Sequence, residues 1–302
     1  MNPPPRMGIV GFGEVGSSFA RGFLSAGVID IVAYDDPPGP LQRELALRRA
    51  AELDVPLHFE PTPLNDREIV LSSVTQDAAI AAARRSLPSL RHDVIYADVN
   101  SLSPTRKREV AQVAAQADRA FVDIAIMGAP ARDLHRVPLL AAGAPAAALV
   151  ARLAPWQADI RIVGDTPGQA AGVKILRSVL TKGLEVLLVE SLVAARRCGL
   201  QQQVLDSFCE LLDSRPARET LSFLVRSHVV HAGRRALELT QSAETVADAG
   251  LQPVLSQAVA ARLEQLASLG LKERLGGEQP DTIEDTIALL DSALGVVAQP
   301  GR

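Results

Sequence analysis

Cysteine is scarce in this chain of 302 residues, with Cys198 and Cys209 its only two. Two thiols build neither a disulfide framework nor a four-ligand zinc site, and they fit a reducing compartment. Aromatic residues are few as well, at 3% of the chain, with one Trp, two Tyr and seven Phe. A base-stacking platform is therefore not indicated. Neither sign of charge dominates: 31 Lys and Arg stand against 35 Asp and Glu, a net of −4. That balance argues against a binder of phosphate backbones. Long apolar runs are missing too. The longest stretch without a charge or His, Val137–Ala151, holds Pro138, Gly143 and Pro145. It falls short of the ~20 residues a spanning helix needs. The opening Met-Asn-Pro-Pro-Pro-Arg lacks the apolar core of a signal peptide. Nucleophile-elbow and Walker-type loops are absent from the sequence. The expectation is a soluble cytoplasmic protein with no nucleic-acid and no membrane partner.

What is present belongs to a folded chain, with 47% hydrophobic and 22% charged residues. The length suggests two domains. The first half alternates short β-branched runs with Ala-rich segments. Met7–Val10, Ile31–Tyr34, Ile69–Ser73, Val94–Asp98 and Phe121–Ile126 read as strands. Val15–Ala26, Leu41–Leu53, Gln76–Ser86 and Pro104–Gln116 read as the helices between them. Ser103 before Pro104 is a helix start, and Thr75 ahead of Asp77 is another. Val137–Ala142 and Ile160–Val163 add two strands around a helix near Ala146–Leu153. This alternation predicts a mostly parallel, doubly wound sheet. After Gly164 the pattern turns helical. Ala170–Arg197 contains no Pro and would form a helix ~42 Å long, enough to connect two domains and pack on both sides or on a partner chain. Gln202–Asp213, Arg218–Ala249, Pro253–Ser268 and Thr282–Leu294 follow as helices, with Gly199, Gly250 and Gly270 at helix ends.

Gly11-Phe12-Gly13-Glu14-Val15-Gly16 joins the first strand to the first helix. The first glycine permits a tight turn, the second lets backbone approach a pyrophosphate, and the third lets helix pack on strand. The helix N-terminus then offers free N–H groups to the phosphates. Asp35 closes the second strand, 19 residues after Gly16, where an acid would bond ribose hydroxyls. Asp36 is the alternative ligand, or both acids are turn residues before Pro37-Pro38. An acid here favours NAD over NADP, because a 2′-phosphate is repelled, and no Arg adjoins Asp35 in sequence. Glycines that serve only packing are the plain alternative.

Asp98-Val99-Asn100-Ser101-Leu102-Ser103-Pro104 follows the strand ending at Asp98. Carboxyl ends of strands in such sheets border the ligand crevice, so Asn100 and Ser101 are placed at nicotinamide or substrate. Val74 and Thr75, after the strand at Ile69–Ser73, are also assigned to the cofactor. Gly168-Gln169-Ala170-Ala171-Gly172-Val173-Lys174 opens the long helix, with Ser178 four residues on. Apolar surroundings disfavour a charged lysine and suit it to proton transfer. A lysine that snorkels off a helix surface is the plain alternative. Arg177, a turn from Lys174, either keeps that amine neutral and grips an anion or makes an external ion pair.

In that order the three motifs resemble the β-hydroxyacid dehydrogenase family, which includes 3-hydroxyisobutyrate and 6-phosphogluconate dehydrogenases. The likeness covers nearly the whole chain. Lys-Ile-Leu-Arg-Ser-Val-Leu-Thr-Lys-Gly and His-Ala-Gly-Arg-Arg-Ala-Leu-Glu are closer still to a poorly characterised branch with a phosphogluconate-dehydrogenase-like C-terminal helical domain. The resemblance implies a Rossmann domain at 6–165 that binds NAD or NADP. An all-α domain at 168–296 would close the site and build a homodimer. It also implies that Lys174 is the general acid or base and that Ser178 stands where the family has an amide. Asn100 and Ser101 fall on the family's Ser-Thr pair. The family's substrate loop Asp-x-Pro-Val-Ser-Gly-Gly falls on Asp123–Ala129, where Asp123 and Gly128 persist and Met127 replaces a Ser. Met is a soft lining, so a larger or less polar substrate is implied. The family's C-terminal Lys-Asp pair falls on Leu237-Glu238. His231, Arg234 or Arg235 would replace the lost cation, unless that run is a solvated face.

His228 and His231 have metal-like spacing without matching acids, so no metal site is expected. Cys198 and Cys209 read as core or inert positions. The expected activity is hydride transfer between a nicotinamide and a hydroxy or carbonyl substrate. An imine reductase on the same scaffold, or a dinucleotide-binding protein without catalysis, are the alternatives.

Overall fold

The structure, a computed structural model, describes residues 3–295. Its first half winds β1 (Met7–Val10), α1 (Glu14–Ala26), β2 (Ile31–Tyr34), α2 (Pro40–Leu53), β3 (Leu57–His58), β4 (Ile69–Ser72), α3 (Ala79–Ser86), β5 (Ile95–Asp98), α4 (Pro104–Gln116) and β6 (Ala120–Ile126). A four-residue helix α5 (Pro130–Asp133), then β7 (Leu139–Ala142), α6 (Ala146–Leu153) and β8 (Ile160–Gly164) complete it. The strands form one sheet in the order β3-β2-β1-β4-β5-β6-β7-β8. All neighbours run parallel except β6 and β7. The order reverses between β1 and β4, so their carboxyl ends flank a crevice where such sheets take ligands.

Alternation along each strand builds a core on either face. Ile69, Leu71, Ile95 and Ala97 face one side, with Phe19 and Phe23 of α1 and Leu149 of α6. Val70 and Tyr96 face the other, with Ala79 and Ala83 of α3 and Val110 and Ala114 of α4. The two-residue β3 was not expected, because so short a strand carries no periodicity. The helix expected from Gln76 begins at Ala79, and Thr75 caps nothing there. Ser103 does cap, its Oγ accepting the Arg106 N–H at 3.3 Å.

The second half is helical: α7 (Gln169–Arg197), α8 (Gln201–Asp213), α9 (Ala217–Asp248), α10 (Val254–Ala267), a short α11 (Leu271–Arg274) and α12 (Ile283–Leu294). Two compact units divide the chain, one up to Val179 and the other from Leu180, so α7 runs from the first into the second. Residue 296, the expected end of the helical domain, lies outside the described residues. Within the second unit, Ala232 and Ala236 of α9 pack on Leu263 of α10. The Glu190 carboxylate caps α10 by accepting the N–H groups of Leu255 and Ser256, each at 2.9 Å. Arg197 closes the end of α9 on the carbonyls of Ala249 (2.9 Å) and Gly250 (2.6 Å). Cys198, in the turn after α7, and Cys209, on α8, are both exposed. Among the described residues no helix is long and apolar enough to cross a membrane.

Candidate active site

The turn after β1 meets the demands of its glycines. Gly11 sits at φ +87°, and a Cβ on it would lie 2.6 Å from the Ser73 carbonyl oxygen. A Cβ on Gly16 would lie 2.2 Å from the Gly11 carbonyl oxygen, so only glycine lets α1 approach this closely. Above Gly13 a Cβ would meet nothing within 4 Å. No side chain caps α1, which leaves its first N–H groups facing that space. The turn is fixed from the residue after β4, where Ser73 Oγ donates to the Gly11 carbonyl at 2.8 Å. Phe12 is buried in the core and Val15 packs against it, so both offer backbone only, while Glu14 is exposed.

A cleft of about 550 Å³ opens beside this turn. Gly11, Gly13, Asp35, Asp36, Val74 and Thr75 line it, as do Arg49 and Arg85. Asp35 is half-buried. One carboxylate oxygen accepts the Phe12 N–H at 3.0 Å and the other the Asp36 N–H at 2.9 Å. Burial pushes its carboxyl above the usual range, against the pull of those two hydrogen bonds. The sequence places no Arg beside Asp35, yet the fold supplies two. Arg85 of α3 pairs with Asp36 at 2.6 Å, and Arg49 of α2 reaches the same cleft. Arg43 instead lies over the Phe59 ring at 3.6 Å. Arg85 comes from a helix beyond β4, a placement that spacing cannot reveal. Open space over Gly13, uncapped N–H groups and an acid at the end of β2 together fit a dinucleotide.

One strand further along the same edge, Asn100 turns inward. Its side chain is buried, donating to Ser72 Oγ at 3.1 Å and to Asp98 Oδ2 at 2.9 Å. It does not line the cleft, because the loop spends its amide on itself. Ser101, the next residue, is exposed and accepts a hydrogen bond from Lys174 Nζ at 3.0 Å. Lys174 is half-buried. Burial, then the charges of Lys107 and Arg177, hold its amine below the ordinary lysine value. Ser178, at the position of the family's amide, donates its hydroxyl back to the Lys174 carbonyl at 3.0 Å. Met127, just past the end of β6, packs on Ala125, Leu140, Ala142 and Ala170, the last on the first turn of α7. Gly128 is exposed, with Val137 close to where its Cβ would be. Arg177 is exposed, and its charge bears on Lys174.

His231, Arg234 and Arg235 lie on α9, in the second unit. Arg234 pairs with Glu238 at i+4, and Arg235 donates to Ser227 Oγ at 2.8 Å. Among the described residues no cluster of His, Cys, Asp and Glu could hold a metal ion. One residue that sequence reasoning passed over, Lys107 of α4, belongs to the site's frame: with Asp98 at the end of β5 and Asp123 within β6 it forms a buried ion cluster.

The first half is thus a dinucleotide-binding, doubly wound domain with a lysine at its carboxyl edge. Residues 6–155 match the model described as the NAD binding domain of 6-phosphogluconate dehydrogenase, and residues 195–266 match a domain of unknown function (DUF1932). The chain belongs to the family that joins these two domains. A crystal structure of a conserved hypothetical protein from Sinorhizobium meliloti is 30% identical, with a TM-score of 0.61, covering 95% of this chain and 96% of that one. Conserved protein MTH1747, of unknown function and described as similar in structure to 3-hydroxyacid dehydrogenases, is 29% identical. Its TM-score is 0.60, over 90% of this chain and 99% of its own. An imine reductase variant from Myxococcus stipitatus in complex with NAD⁺ shares the fold at a TM-score of 0.75 and 17% identity, over 97% and 100% of the two chains.

Proposed function

We propose that this chain is an NAD(P)-dependent oxidoreductase in which Lys174 exchanges a proton with the oxygen of a hydroxy or carbonyl substrate. The observation that carries the reading is the Lys174 amine. It is half-buried and 3.0 Å from Ser101, on the edge of the sheet that also carries the glycine turn. Gly11, Gly13 and the first turn of α1 would hold the pyrophosphate, and Asp35 the ribose. A bound nicotinamide supplies or accepts the hydride. In reduction the ammonium of Lys174 gives a proton to the carbonyl oxygen as the alkoxide forms; in oxidation the neutral amine removes it. Ser101 fixes where the amine points, and burial with two neighbouring cations makes its proton easier to release. The acid at Asp35 supports NAD, while Arg49 and Arg85 in the same cleft leave NADP a place.

Imine reduction on the same scaffold is the second reading. It is favoured by Ser178, folded back on its own helix, and by Met127, packed among apolar side chains, so that neither offers a group for a substrate carboxylate. The test is a panel of small 3-hydroxy acids and cyclic imines with NADH and NADPH. Turnover of hydroxy acids supports the first reading and turnover of imines the second. Tight cofactor binding without turnover of any member would leave a dinucleotide-binding protein and overturn both.

The same proposal includes a homodimer built on α7. Leu176, Val179 and Leu180 are 69%, 66% and 73% exposed, and Val186 and Val189 are exposed as well. So continuous an apolar face on one helix needs a cover. Light scattering at micromolar concentration is expected to give twice the chain mass, and a monomer would refute it.

A further inference from the structure

We propose that Lys107 is a positioning residue for Lys174: through Asp98 and Asp123 it ties the loop bearing Ser101 to the first turn of α7, and so holds the Lys174 amine against the Ser101 hydroxyl. The inference rests on the catalytic reading of Lys174 given above.

Lys107 lies one turn into α4 and is 0% exposed. Its ammonium donates to Asp98 Oδ1 and to the Asp98 carbonyl, each at 2.6 Å, and to the Ile124 carbonyl at 3.1 Å. Asp123 Oδ1 faces it at 3.1 Å. Asp98 and Asp123 are themselves fully buried. Three buried charges are a poor way to make a domain stable. Desolvating each ion costs several kcal/mol, and apolar side chains of similar volume often serve as well or better. The cluster therefore calls for a use beyond stability, and its connections supply one.

On one side, the other oxygen of Asp123 accepts the N–H groups of Gly168 at 3.0 Å and Ala171 at 3.1 Å. These are donors that the first turn of α7 would otherwise leave unpaired. Lys174 follows Ala171 by three residues, on the same helix face. On the other side, Asp98 accepts the Asn100 backbone N–H at 3.0 Å and its side-chain amide at 2.9 Å. Ser101 is the next residue. Both partners of the Lys174–Ser101 hydrogen bond are thus anchored, within a turn or two residues, to one ammonium. Without it, two buried carboxylates would repel each other across this joint. The charged groups that bear on Lys174 are Lys107 from α4 and Arg177 from its own helix, with Asp98 and Asp123 bound to Lys107.

The test compares the whole chain with Lys107→Met and with Lys107→Met/Asp123→Asn. The double variant removes one cation and one anion together, so the net charge of the cluster is unchanged and folding is protected. The chain has only four lysines, at 107, 174, 182 and 272. Lysine isotope-labelled at Cε therefore gives a Lys174 resonance that Lys174→Met identifies, and its titration is read by NMR without any substrate. In both variants Lys174 is expected to titrate at higher pH than in the parent. NADH affinity, measured by fluorescence, should hold. Turnover of 3-hydroxyisobutyrate or 2-methyl-1-pyrroline, whichever the parent accepts, should fall by ~10-fold or more. A folded double variant with Lys174 titration and turnover unmoved overturns the inference, as does a fall in thermal stability and NADH affinity together while that titration stays put. Turnover retained in Lys174→Met sinks the catalytic reading instead, a result distinct from any shift in the titration.

Discussion

Replacing Lys174 by Met keeps the length of the side chain and deletes only its proton chemistry. Positioned general acid–base groups contribute about 10²–10⁴-fold in rate, which at about 1.36 kcal/mol per tenfold is roughly 3–5 kcal/mol of barrier. Turnover is expected to fall by that factor while NADH affinity stays, because the glycine turn and Asp35 are untouched. Stability supplies a second readout with a definite sign. The folded chain holds Lys174 below its ordinary value of 10.5. Between the two values the unfolded chain binds more protons, so stability rises with pH across that window, and below it the charged amine costs its full amount. Met removes the cost. The thermal midpoint of Lys174→Met at neutral pH is therefore expected to hold or rise as turnover collapses. The pH profile of the parent enzyme follows the same sign. Carbonyl reduction needs the ammonium and declines as pH climbs through the lowered value, whereas alcohol oxidation needs the amine and gains. Nicotinamide absorbance gives the rates and circular dichroism the midpoint. A variant that keeps most of its rate would remove Lys174 from the mechanism.

Two further substitutions probe the cofactor side. Gly16→Ala puts a methyl 2.2 Å from the Gly11 carbonyl oxygen, an overpacking that typically costs about 1–3 kcal/mol. The midpoint should drop and NADH binding weaken together; binding unchanged in a folded variant would disconnect this turn from the cofactor. Asp35→Asn turns an N–H donor toward the N–H of Phe12 or Asp36, leaving a mismatch worth about 1–3 kcal/mol. Calorimetry should show NADH affinity falling and the ratio of NADH to NADPH affinity shifting toward NADPH, since Arg49 and Arg85 remain. In the parent, NADH affinity is expected to decline on acidification at a pH above the ordinary aspartate value of 3.8, because burial raises that of Asp35. A decline confined to the ordinary range would show that the ribose is held elsewhere.

Much of the fold was legible because its signals are local. The β1 range, the ends of α4 at Pro104 and Gln116, and the helix-ending Gly199, Gly250 and Gly270 follow from periodicity, a cap and positive φ, all within a few residues. The glycine turn was legible for the same reason, since its three roles are set by chain neighbours and one adjoining strand. Thr75 as a cap was misjudged, because local pattern is silent about where the loop after β4 turns into helix.

The sequence by itself determined the kind of scaffold: a glycine turn between a strand and a helix, an acid at the end of the next strand, and a lysine near the start of a long helix. The tertiary structure alone decided which side chains meet. Lys174 and Ser101 are 73 residues apart and Asp123 and Gly168 are 45 apart. Lys107, an ordinary helix lysine in sequence, lies fully buried between two acids. Such pairings depend on strand order and helix placement, which bring distant segments to one edge of the sheet. Periodicity records which face of an element is buried, but carries no information about what waits on the other side.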